Sequence, residues 1–282
     1  MKILVTGGNG QLGSELKVLS DVYPEFNFDF TDTHSLDITS DKKVLNYFEN
    51  NSFDYCINCA AYTLVDKAET DAILADKVNN LGSSNISLAC KKYDTILIHI
   101  STDFVFDGKS NVAYTENDAH APINVYGETK LKGEFAVQKI LQKYFIIRTS
   151  WLYSSFGNNF VKTMLKLAIT KNTLNVIDDQ VGTPTFARDL ARVVLNIIEN
   201  NNTSYGLYHY SNEGVSSWFD FAQAIFEYSY LNTEVIPIVT EHYPTPAKRP
   251  RFTVLNKTKI KENCKIKIPY WRDSLKECLK LI

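Results

Sequence analysis

Residues 7–13 of the chain are Gly7-Gly8-Asn9-Gly10-Gln11-Leu12-Gly13, and they directly follow the apolar run Lys2-Ile3-Leu4-Val5-Thr6. This order is typical of a strand, a tight turn and a helix that together bind a dinucleotide. Gly7 allows the tight turn, Gly10 lets the backbone approach a phosphate, and Gly13 lets the helix pack closely. The helix N-terminus then faces the negative charge of a pyrophosphate. The sequence therefore predicts a dinucleotide site, with a glycine-rich turn that binds no ligand as the alternative.

The first 150 residues alternate between short apolar runs and longer amphipathic ones. The predicted strands are Lys2–Thr6, Phe26–Phe30, Tyr55–Cys59, Thr95–Ile100 and Phe145–Thr149. The predicted helices are Gln11–Leu19, Asp41–Glu49, Ala68–Lys91, which a break near Leu81-Gly82 could divide, and Val125–Leu141. This alternation predicts an α/β fold of the Rossmann type, with a doubly wound parallel sheet and helices on both faces. Ligands of such sheets bind beyond the carboxyl ends of the strands.

The pattern is less regular after Ser150. The predicted elements there are helices Asn159–Thr170, Arg188–Glu199, Ser217–Tyr228 and Trp271–Leu281, strands Thr173–Ile177 and Gly206–Tyr210, and a proline-rich loop Tyr243–Pro250. We predict a dinucleotide-binding Rossmann domain made of residues 1–150 and 173–212. Residues 151–172 and 213–282 are predicted to form a smaller, interleaved substrate lobe that covers the carboxyl edge of the sheet.

Composition excludes several classes of protein. Thirty basic residues against thirty-two acidic ones leave a formal net charge of −2 without a basic block, so we expect no nucleic-acid partner. No apolar run approaches about eighteen residues, so we expect no membrane span. The first residues lack the apolar core of a signal peptide, and the five cysteines are an odd number, which favours reduced thiols and a cytoplasmic location.

Metal and redox sites are not expected. Cys56 and Cys59 lie on a predicted strand, where residues three apart face opposite ways, so the pair is interpreted as two small buried side chains. The histidines show no metal-ligand spacing.

A second motif is Tyr126-Gly127-Glu128-Thr129-Lys130, about 25 residues after Ser101-Thr102-Asp103. Tyr126 and Lys130 are four residues apart on a predicted helix, so they share a face. An ammonium group near a phenol favours the phenolate, so we expect Lys130 to bring the Tyr126 pKa from about 10 toward neutrality. A phenol tuned in this way can protonate a carbonyl oxygen as hydride arrives, or take the proton in the reverse reaction. A solvated helix face is the alternative for this common spacing.

Thr102 is expected at the end of the fourth strand, where its hydroxyl could bind the same substrate oxygen as the Tyr126 phenol. The alternative role for Thr102 is to cap a turn. Lys130 could also hold the nicotinamide ribose hydroxyls.

Three residues after the second strand are candidates for the adenosine end of the dinucleotide. Asp32 lies nineteen residues after Gly13 and could accept hydrogen bonds from the ribose, which would favour NADH. Asp37 could bind the adenine amine and Ile38 could pack on the ring. The alternatives are a turn cap for Asp32 and a helix N-cap for Asp37.

At these residues the chain resembles the extended short-chain dehydrogenase/reductase superfamily and, more narrowly, the dTDP-4-dehydrorhamnose reductase family. The resemblance spans nearly the whole chain and is carried by Asn58–Glu69, Ser101–Gly108, Asn124–Lys130, Arg148–Tyr153, Gly157–Phe160, Asp179–Thr185 and Tyr243–Pro250. It implies reduction of the C4 keto group of a nucleotide sugar by NADPH or NADH, with Thr102, Tyr126 and Lys130 as the catalytic set.

The resemblance also implies the binding residues. With the glycine loop and the third strand end, the expected cofactor contacts are Gly7, Gly10, Gln11, Leu12, Asp32, Asp37, Ile38, Ala60, Ala61, Tyr62, Thr63, Tyr126 and Lys130. The expected sugar-nucleotide contacts are Thr102, Asp103, Trp151, whose apolar face suits a C6 methyl, and Arg249, whose fork suits a diphosphate.

Assembly is expected to be a monomer or a weak homodimer. Some bacterial members of the family dimerise through a magnesium ion held by glutamates. Glu15 matches one of these, but the segment 186–189 and the short C-terminus do not clearly supply the others, so no metal is assigned.

Three other activities stay open at this point. A 4-epimerase, or a reductase that gives the other C4 configuration, would carry the same motifs. A non-catalytic regulatory subunit would keep the fold and the nucleotide site, but the intact set of Thr102, Tyr126 and Lys130 argues against that role.

Overall fold

A parallel sheet of six strands forms the centre of the structure, a computed structural model that describes residues 1–282. In chain order the strands are β1 (Lys2–Thr6), β2 (Asn27–Phe30), β3 (Tyr55–Asn58), β4 (Ile96–Thr102), β5 (Tyr144–Thr149), β6 (Leu152–Tyr153), β7 (Thr173–Ile177), β8 (Val181–Gly182), β9 (Thr185–Phe186), β10 (Gly206–His209), β11 (Ser216–Ser217) and β12 (Glu234–Ile238). The order in the large sheet is β10-β5-β4-β3-β1-β2. Val5 lies opposite both Phe30 and Ile57, so β1 is an internal strand between β2 and β3, and the order of strands reverses beside it.

Helices connect the strands and cover both faces of the sheet. They are α1 (Gln11–Ser20), α2 (Asp41–Glu49), α3 (Val65–Ala68), α4 (Ala72–Asp76), α5 (Ser83–Lys92), α6 (Val125–Ile140), α7 (Phe160–Ala168), α8 (Ala187–Glu199), α9 (Trp218–Tyr228), α10 (Thr258–Cys264) and α11 (Trp271–Leu279). A π-helical turn, Lys77–Gly82, joins α4 to α5, and single 3₁₀ turns span Asp103–Val105 and Thr240–His242.

Alternation along the strands produces two separate cores. Ile3 and Val5 pack on one face of the sheet with residues of α1, α8 and α10, whereas Leu4 packs on the other face with residues of α2, α5 and α6. Strands buried on both faces are continuously apolar, as expected for a parallel sheet. The predicted Rossmann-type α/β fold is confirmed.

A third core belongs to the C-terminal lobe. Helices α7, α9 and α11 enclose Val161, Phe221 and Trp271 next to the small sheet formed by β7 and β12. Through this pairing Thr173–Ile177 packs with the lobe, and its strand partner lies about sixty residues downstream, beyond the reach of a local pattern. The predicted division of the chain into two domains stays a prediction.

The predicted helix Ala68–Lys91 is interrupted. After the last residue of α3, the structure divides this segment into α4, the π-helical turn and α5, and the π-helical turn ends at Gly82, where the sequence allowed a break. Strand β4 also runs to Thr102, two residues beyond the predicted end, so Ser101 and Thr102 are held by the sheet. Helix α10 and the two-residue strands were not predicted.

The cysteines and the helices give two further findings. Cys56 is fully buried and Cys59 is partly exposed, and all five thiols are free. None of the helices has both the length and the apolar character that crossing a membrane requires.

Candidate active site

The glycine loop lies where the order of strands reverses, between β1 and β3. Gly7 has a φ of +67°, and a Cβ on it would lie 2.7 Å from the backbone nitrogen of Ala60. A Cβ on Gly13 would lie 2.5 Å from the Gly7 carbonyl oxygen. Both positions therefore require glycine, for the two reasons expected from the sequence.

The N-terminus of α1 is open to an anion. Gly10 is the N-cap residue, no side chain caps the helix, and its first turn contains no acidic residue. The first N–H groups of a helix lack intrahelical partners and carry partial positive charge. The loop therefore presents donors to a phosphate without a competing carboxylate.

The two residues after Gly10 face away from that opening. The Gln11 amide accepts a hydrogen bond from Asn159 (2.9 Å) and donates one to the Leu152 carbonyl (3.4 Å). The Leu12 side chain is buried in the core beneath the sheet. Leu12 can thus offer a cofactor only its backbone, while Gln11 links the glycine loop to the lobe.

Asp32 has the hydrogen bonds of a turn cap. One carboxylate oxygen accepts from the backbone N–H groups of His34 and Ser35 (both 3.0 Å), and the other accepts from the Asn9 amide (2.8 Å). The Ser35 contacts, with His34, hold the Asp32 pKa below its usual value. The carboxylate is therefore anionic and positioned beside the glycine loop, where the adenosine ribose contact stays a prediction.

Asp37 and Ile38 are engaged by the protein itself. Asp37 accepts hydrogen bonds from the Thr39 backbone (3.0 Å) and hydroxyl (2.7 Å), which lower the Asp37 pKa. Ser40, not Asp37, is the N-cap of α2, so that alternative was wrong. Ile38 is buried, and its Cδ1 lies 2.7 Å from the position of a Cβ on Gly82.

The segment Ala60–Thr63 after β3 is tied to the π-helical turn. The side chain of Asn79, which the sequence analysis missed, accepts from the Tyr62 N–H (2.8 Å) and donates to the Tyr62 carbonyl (3.1 Å). It also donates to the Thr129 hydroxyl on α6 (3.0 Å). Asn79 therefore fixes this segment relative to the helix that carries Tyr126. A π-helical turn often marks a functional site, but its position inside a predicted helix gave no local signal.

Thr102 and Asp103 lie at the carboxyl end of β4. The Thr102 hydroxyl donates to Asp103 Oδ1 (3.0 Å) and accepts from the Phe104 N–H (3.2 Å), so the turn-capping role is observed. Asp103 is 2% exposed and its Oδ2 atom has no hydrogen-bond partner. Burial raises the Asp103 pKa to about 7, although hydrogen bonds from Thr253 and Thr102 oppose the shift.

Tyr126 lies in the first turn of α6, beside Thr102. Its ring packs edge-on against Phe104, with centroids 5.7 Å apart. Burial raises the Tyr126 pKa to about 12, the Thr102 hydroxyl lowers it, and the Asp103 charge raises it further. The expectation that Lys130 brings this pKa toward neutrality was wrong for the protein alone, because Lys130 is directed elsewhere.

Lys130 points to the sheet. Its ammonium donates to the Ile100 carbonyl of β4 at 2.6 Å, and the residue is 2% exposed. Burial lowers the Lys130 pKa to about 8, against the opposing charge of Glu134. The shared helix face predicted for Tyr126 and Lys130 is present, but the ammonium is anchored by a backbone carbonyl.

Trp151 is held in a backbone conformation that is unusual for a bulky residue, with a φ of +47°. Its indole stacks on Trp218 at a centroid distance of 3.6 Å and an interplanar angle of 6°. A Cβ on Gly182 would lie within 2.9 Å of the same indole. Gly182 and Trp218 thus both pack on Trp151, and no sequence motif pointed to Trp218.

Arg249 lies in the proline-rich loop and pairs with Asp66 on α3. Two guanidinium nitrogens contact the Asp66 carboxylate at 3.0 and 2.7 Å, and one also donates to Thr245. The bond between Asn124 and the Lys248 carbonyl (2.8 Å) adds a second link to α6. The loop borders a cavity of about 400 Å³ whose lining includes Arg249. Arg249 therefore lies where a substrate diphosphate was predicted to bind, but its guanidinium is already paired with Asp66.

A family model described as the RmlD substrate binding domain matches residues 1–282. The dTDP-4-dehydrorhamnose reductase of Aggregatibacter actinomycetemcomitans is 39% identical to this chain, over 98% of the chain and 97% of that protein. The chain belongs to the dTDP-4-dehydrorhamnose reductase family.

Two solved structures of dTDP-4-dehydrorhamnose reductases superpose over the full chain. The one from Clostridium acetobutylicum is 44% identical, with a TM-score of 0.95, and the match covers 100% of this chain and 99% of that one. The one from Bacillus anthracis, solved in complex with NADP, is 38% identical, with a TM-score of 0.96 and the same coverage. The family resemblance drawn from the sequence motifs is confirmed.

Glu15, the match to a magnesium ligand of some dTDP-4-dehydrorhamnose reductases, is engaged within the chain. It accepts hydrogen bonds from Ser154 (2.6 Å) and Arg188 (2.7 Å) and is fully buried. No group of three or more His, Cys, Asp or Glu side chains in residues 1–282 is arranged to hold a metal ion.

Proposed function

We propose that this chain reduces the C4 keto group of dTDP-4-dehydro-L-rhamnose to dTDP-L-rhamnose, with NADPH or NADH as reductant and Tyr126 as proton donor. The observation that carries the proposal is the position of Tyr126 beside Thr102 at the carboxyl end of β4. The glycine loop opens at the same edge of the sheet. Family membership supports the substrate, and the NADP bound to the Bacillus anthracis relative supports the coenzyme.

The residues around the glycine loop fit a dinucleotide. The uncapped N-terminus of α1 offers backbone donors to the pyrophosphate, and the glycines leave room for it. Asp32 would face the adenosine ribose, and the segment Ala60–Thr63 would line the path toward the sheet edge. When bound, the reduced nicotinamide supplies the hydride.

Tyr126 can hold the proton until it is needed. With a pKa of about 12 the phenol is protonated at neutral pH, which is the state that a proton donor in the reductive direction requires. The Thr102 hydroxyl beside it would bind the same carbonyl oxygen and orient the phenol. Once the proton has left, the Lys130 ammonium one helical turn away would stabilise the phenolate electrostatically.

The sugar side would be formed by Trp151, Asp103 and the proline-rich loop. A cavity of about 400 Å³ beside that loop is lined by Lys109, Lys248, Arg249 and Arg251, with Asp107 as its one acidic residue. Lys109, Arg249 and Arg251 pair with Asp107, Asp66 and Glu241, so a diphosphate would bind Lys248 directly and the other cations by exchange of their acidic partners. Arg249 would reach it from its pairing with Asp66.

The test is turnover with each coenzyme. We expect oxidation of NADPH or NADH only when dTDP-4-dehydro-L-rhamnose is present, and NMR of the product should identify the rhamnose configuration at C4. A 4-epimerase would show no net coenzyme consumption. An unchanged sugar and coenzyme under all conditions would contradict the proposal.

A further inference from the structure

A buried acidic residue continues the face of α6 that carries Tyr126 and Lys130. Glu134 follows Lys130 by four residues, so the three side chains lie one above another along the helix. Glu134 is 1% exposed, and nothing in the local sequence distinguishes it from the exposed Glu128 of the same helix. Because burying a carboxylate is costly, the position of Glu134 beside the proposed catalytic residues needs a physical explanation.

Both carboxylate oxygens of Glu134 are occupied. Arg148 of β5 donates to them through Nε (2.9 Å) and Nη2 (2.6 Å), in a bidentate pair that is sealed from solvent. The Ser101 hydroxyl donates to the same oxygen as Arg148 Nε. Glu134 therefore connects α6 to the ends of both β4 and β5, and Ser101 directly precedes Thr102.

Two uncharged histidines and an aromatic ring surround the rest of the Arg148 guanidinium. His120 lies 2.6 Å from one terminal nitrogen and His209 lies 3.4 Å from the other, and the guanidinium stacks over the Phe106 ring. Burial and the Arg148 charge lower the pKa of both histidines, so they stay uncharged at neutral pH. Glu134 and Arg148 are thus the two charges of this network, and they cancel.

A buried ion pair is a costly way to fill a core, since apolar residues of similar size often stabilise a protein at least as well. This pair, however, lies next to the one buried ammonium of the site. The titratable groups that act on Lys130 are Glu134 from α6, Cys59, which follows β3, and His99 from β4, with Arg148 of β5 bound to the same Glu134. Among them Glu134 carries the negative charge that most strongly favours the protonated lysine, while burial opposes it.

We propose that Glu134 is a positioning residue of the reductive step, which holds the end of β4 through Ser101 and keeps the Lys130 ammonium charged one turn below Tyr126. The proposal rests on the proposed function for its catalytic consequence. Its electrostatic part concerns the protein alone: removal of the Glu134 charge leaves Lys130 among buried groups with an unpaired Arg148.

The experiment compares the wild-type chain with Glu134→Gln and with the double variant Glu134→Gln/Arg148→Met. Lysines labelled at Cε with an NMR-active carbon report the ionisation of Lys130 in the protein without coenzyme, and the Lys130 signal is identified by its loss in Lys130→Arg. We expect the Lys130 midpoint to fall by about one pH unit or more in Glu134→Gln. In the double variant, which also loses the repelling Arg148 charge, the midpoint should return toward the wild-type value.

The alkaline limb of the kcat/KM pH profile should shift among the three proteins in the same order as the Lys130 midpoint. Lys130 is charged below its pKa, so the alkaline limb of activity should move to lower pH in Glu134→Gln and recover part of the way in the double variant. Glu15→Gln is the matched control, since it removes a buried glutamate paired with Arg188 far from Lys130. That control should leave the midpoint and the limb in place.

Two results would overturn the proposal: a Lys130 midpoint that is equal in all three proteins, or activity reduced by one factor at every pH. If Glu134→Gln does not fold, the double variant can still be compared with the wild type, because removing both charges leaves neither Glu134 nor Arg148 as an unpaired buried charge. If the wild-type chain does not oxidise coenzyme, the proposed function fails, while the lysine titration still decides the electrostatic role of Glu134.

Discussion

The proposed cofactor side and the proposed sugar side of the crevice are built in different ways. On the cofactor side, residues 7–13 span the turn after β1 and the start of α1 and present backbone donors, and Gly7 and Gly13 each have a steric reason to be there. On the sugar side, Trp151, Gly182 and Trp218 come from three separate segments and meet through side-chain packing. The first region is local in sequence and the second is not.

Because the two regions differ in this way, substitutions in each should have different effects on ligand binding and on stability. Changes in the glycine loop should act on coenzyme binding and on folding, because the same atoms serve both. Changes in the aromatic stack should act on the sugar nucleotide. Removal of the Tyr126 hydroxyl should act mainly on the chemical step, because the ring and its contact with Phe104 remain.

The largest effect is expected for Tyr126→Phe, which removes the proton donor and keeps the ring contact with Phe104. We expect kcat/KM to fall by about 10²–10⁴-fold, the range of a lost general acid, with coenzyme affinity unchanged. Steady-state kinetics and a binding titration check this. Tyr210→Phe is the control, since its buried hydroxyl has no hydrogen-bond partner. Equal activity of Tyr126→Phe and wild type would remove Tyr126 from the mechanism.

Gly13→Ala tests the cofactor side. The added Cβ would lie 2.5 Å from the Gly7 carbonyl oxygen and 2.6 Å from Gly8 Cα, so we expect a loss of about 1–3 kcal/mol in the free energy of unfolding. Coenzyme affinity should fall by about tenfold or more, which equals at least about 1.4 kcal/mol of binding.

Gly10→Ala is the matched control for that prediction. Gly10 has a φ of −76°, and its Cβ would meet only the Gly7 carbonyl oxygen, at 3.2 Å. It should keep the stability of the wild type within about 0.5 kcal/mol while weakening coenzyme binding. Denaturant unfolding that gives equal losses for both variants would contradict the steric account of Gly13.

Trp218→Ala should have the smallest effect and should be confined to the sugar side. Loss of a stacked aromatic pair is worth about 0.5–1.5 kcal/mol, so we expect KM for the keto sugar nucleotide to rise by about 2- to 10-fold. The coenzyme dissociation constant should not change. Trp218→Phe keeps an aromatic ring over Trp151, so its KM for the keto sugar nucleotide should lie between those of the wild type and Trp218→Ala. A KM equal to that of the wild type in Trp218→Ala would show that the stack does not shape the sugar side.

The same contrast between local and non-local regions explains which elements could be predicted from the sequence. Strand β1, helix α2 and strand β7 were predicted with their observed bounds, because each is a short periodic segment with clear ends. The π-helical turn at Lys77–Gly82 was not predicted, because it is set by the tertiary contacts of Asn79 rather than by periodicity. Two-residue strands such as β8 have no period to detect.

Residue spacing predicted which side chains share a face but not where they point. Tyr126 and Lys130 do lie one turn apart, yet Lys130 bonds to the Ile100 carbonyl, a partner that the motif does not contain. Likewise Arg249 lies at the predicted edge, but its pairing with Asp66 joins residues 183 positions apart. Such partners depend on the folded arrangement of distant segments.

Hydride and proton are proposed to reach one sugar carbonyl at the carboxyl edge of this sheet. A direct test uses dTDP-4-dehydro-L-rhamnose and NADPH that carries deuterium at both C4 positions of the dihydronicotinamide. We expect dTDP-L-rhamnose with one deuterium at C4, seen by NMR as the loss of the H4 signal. A product that retains hydrogen at C4, or deuterium found at any other carbon, would contradict it.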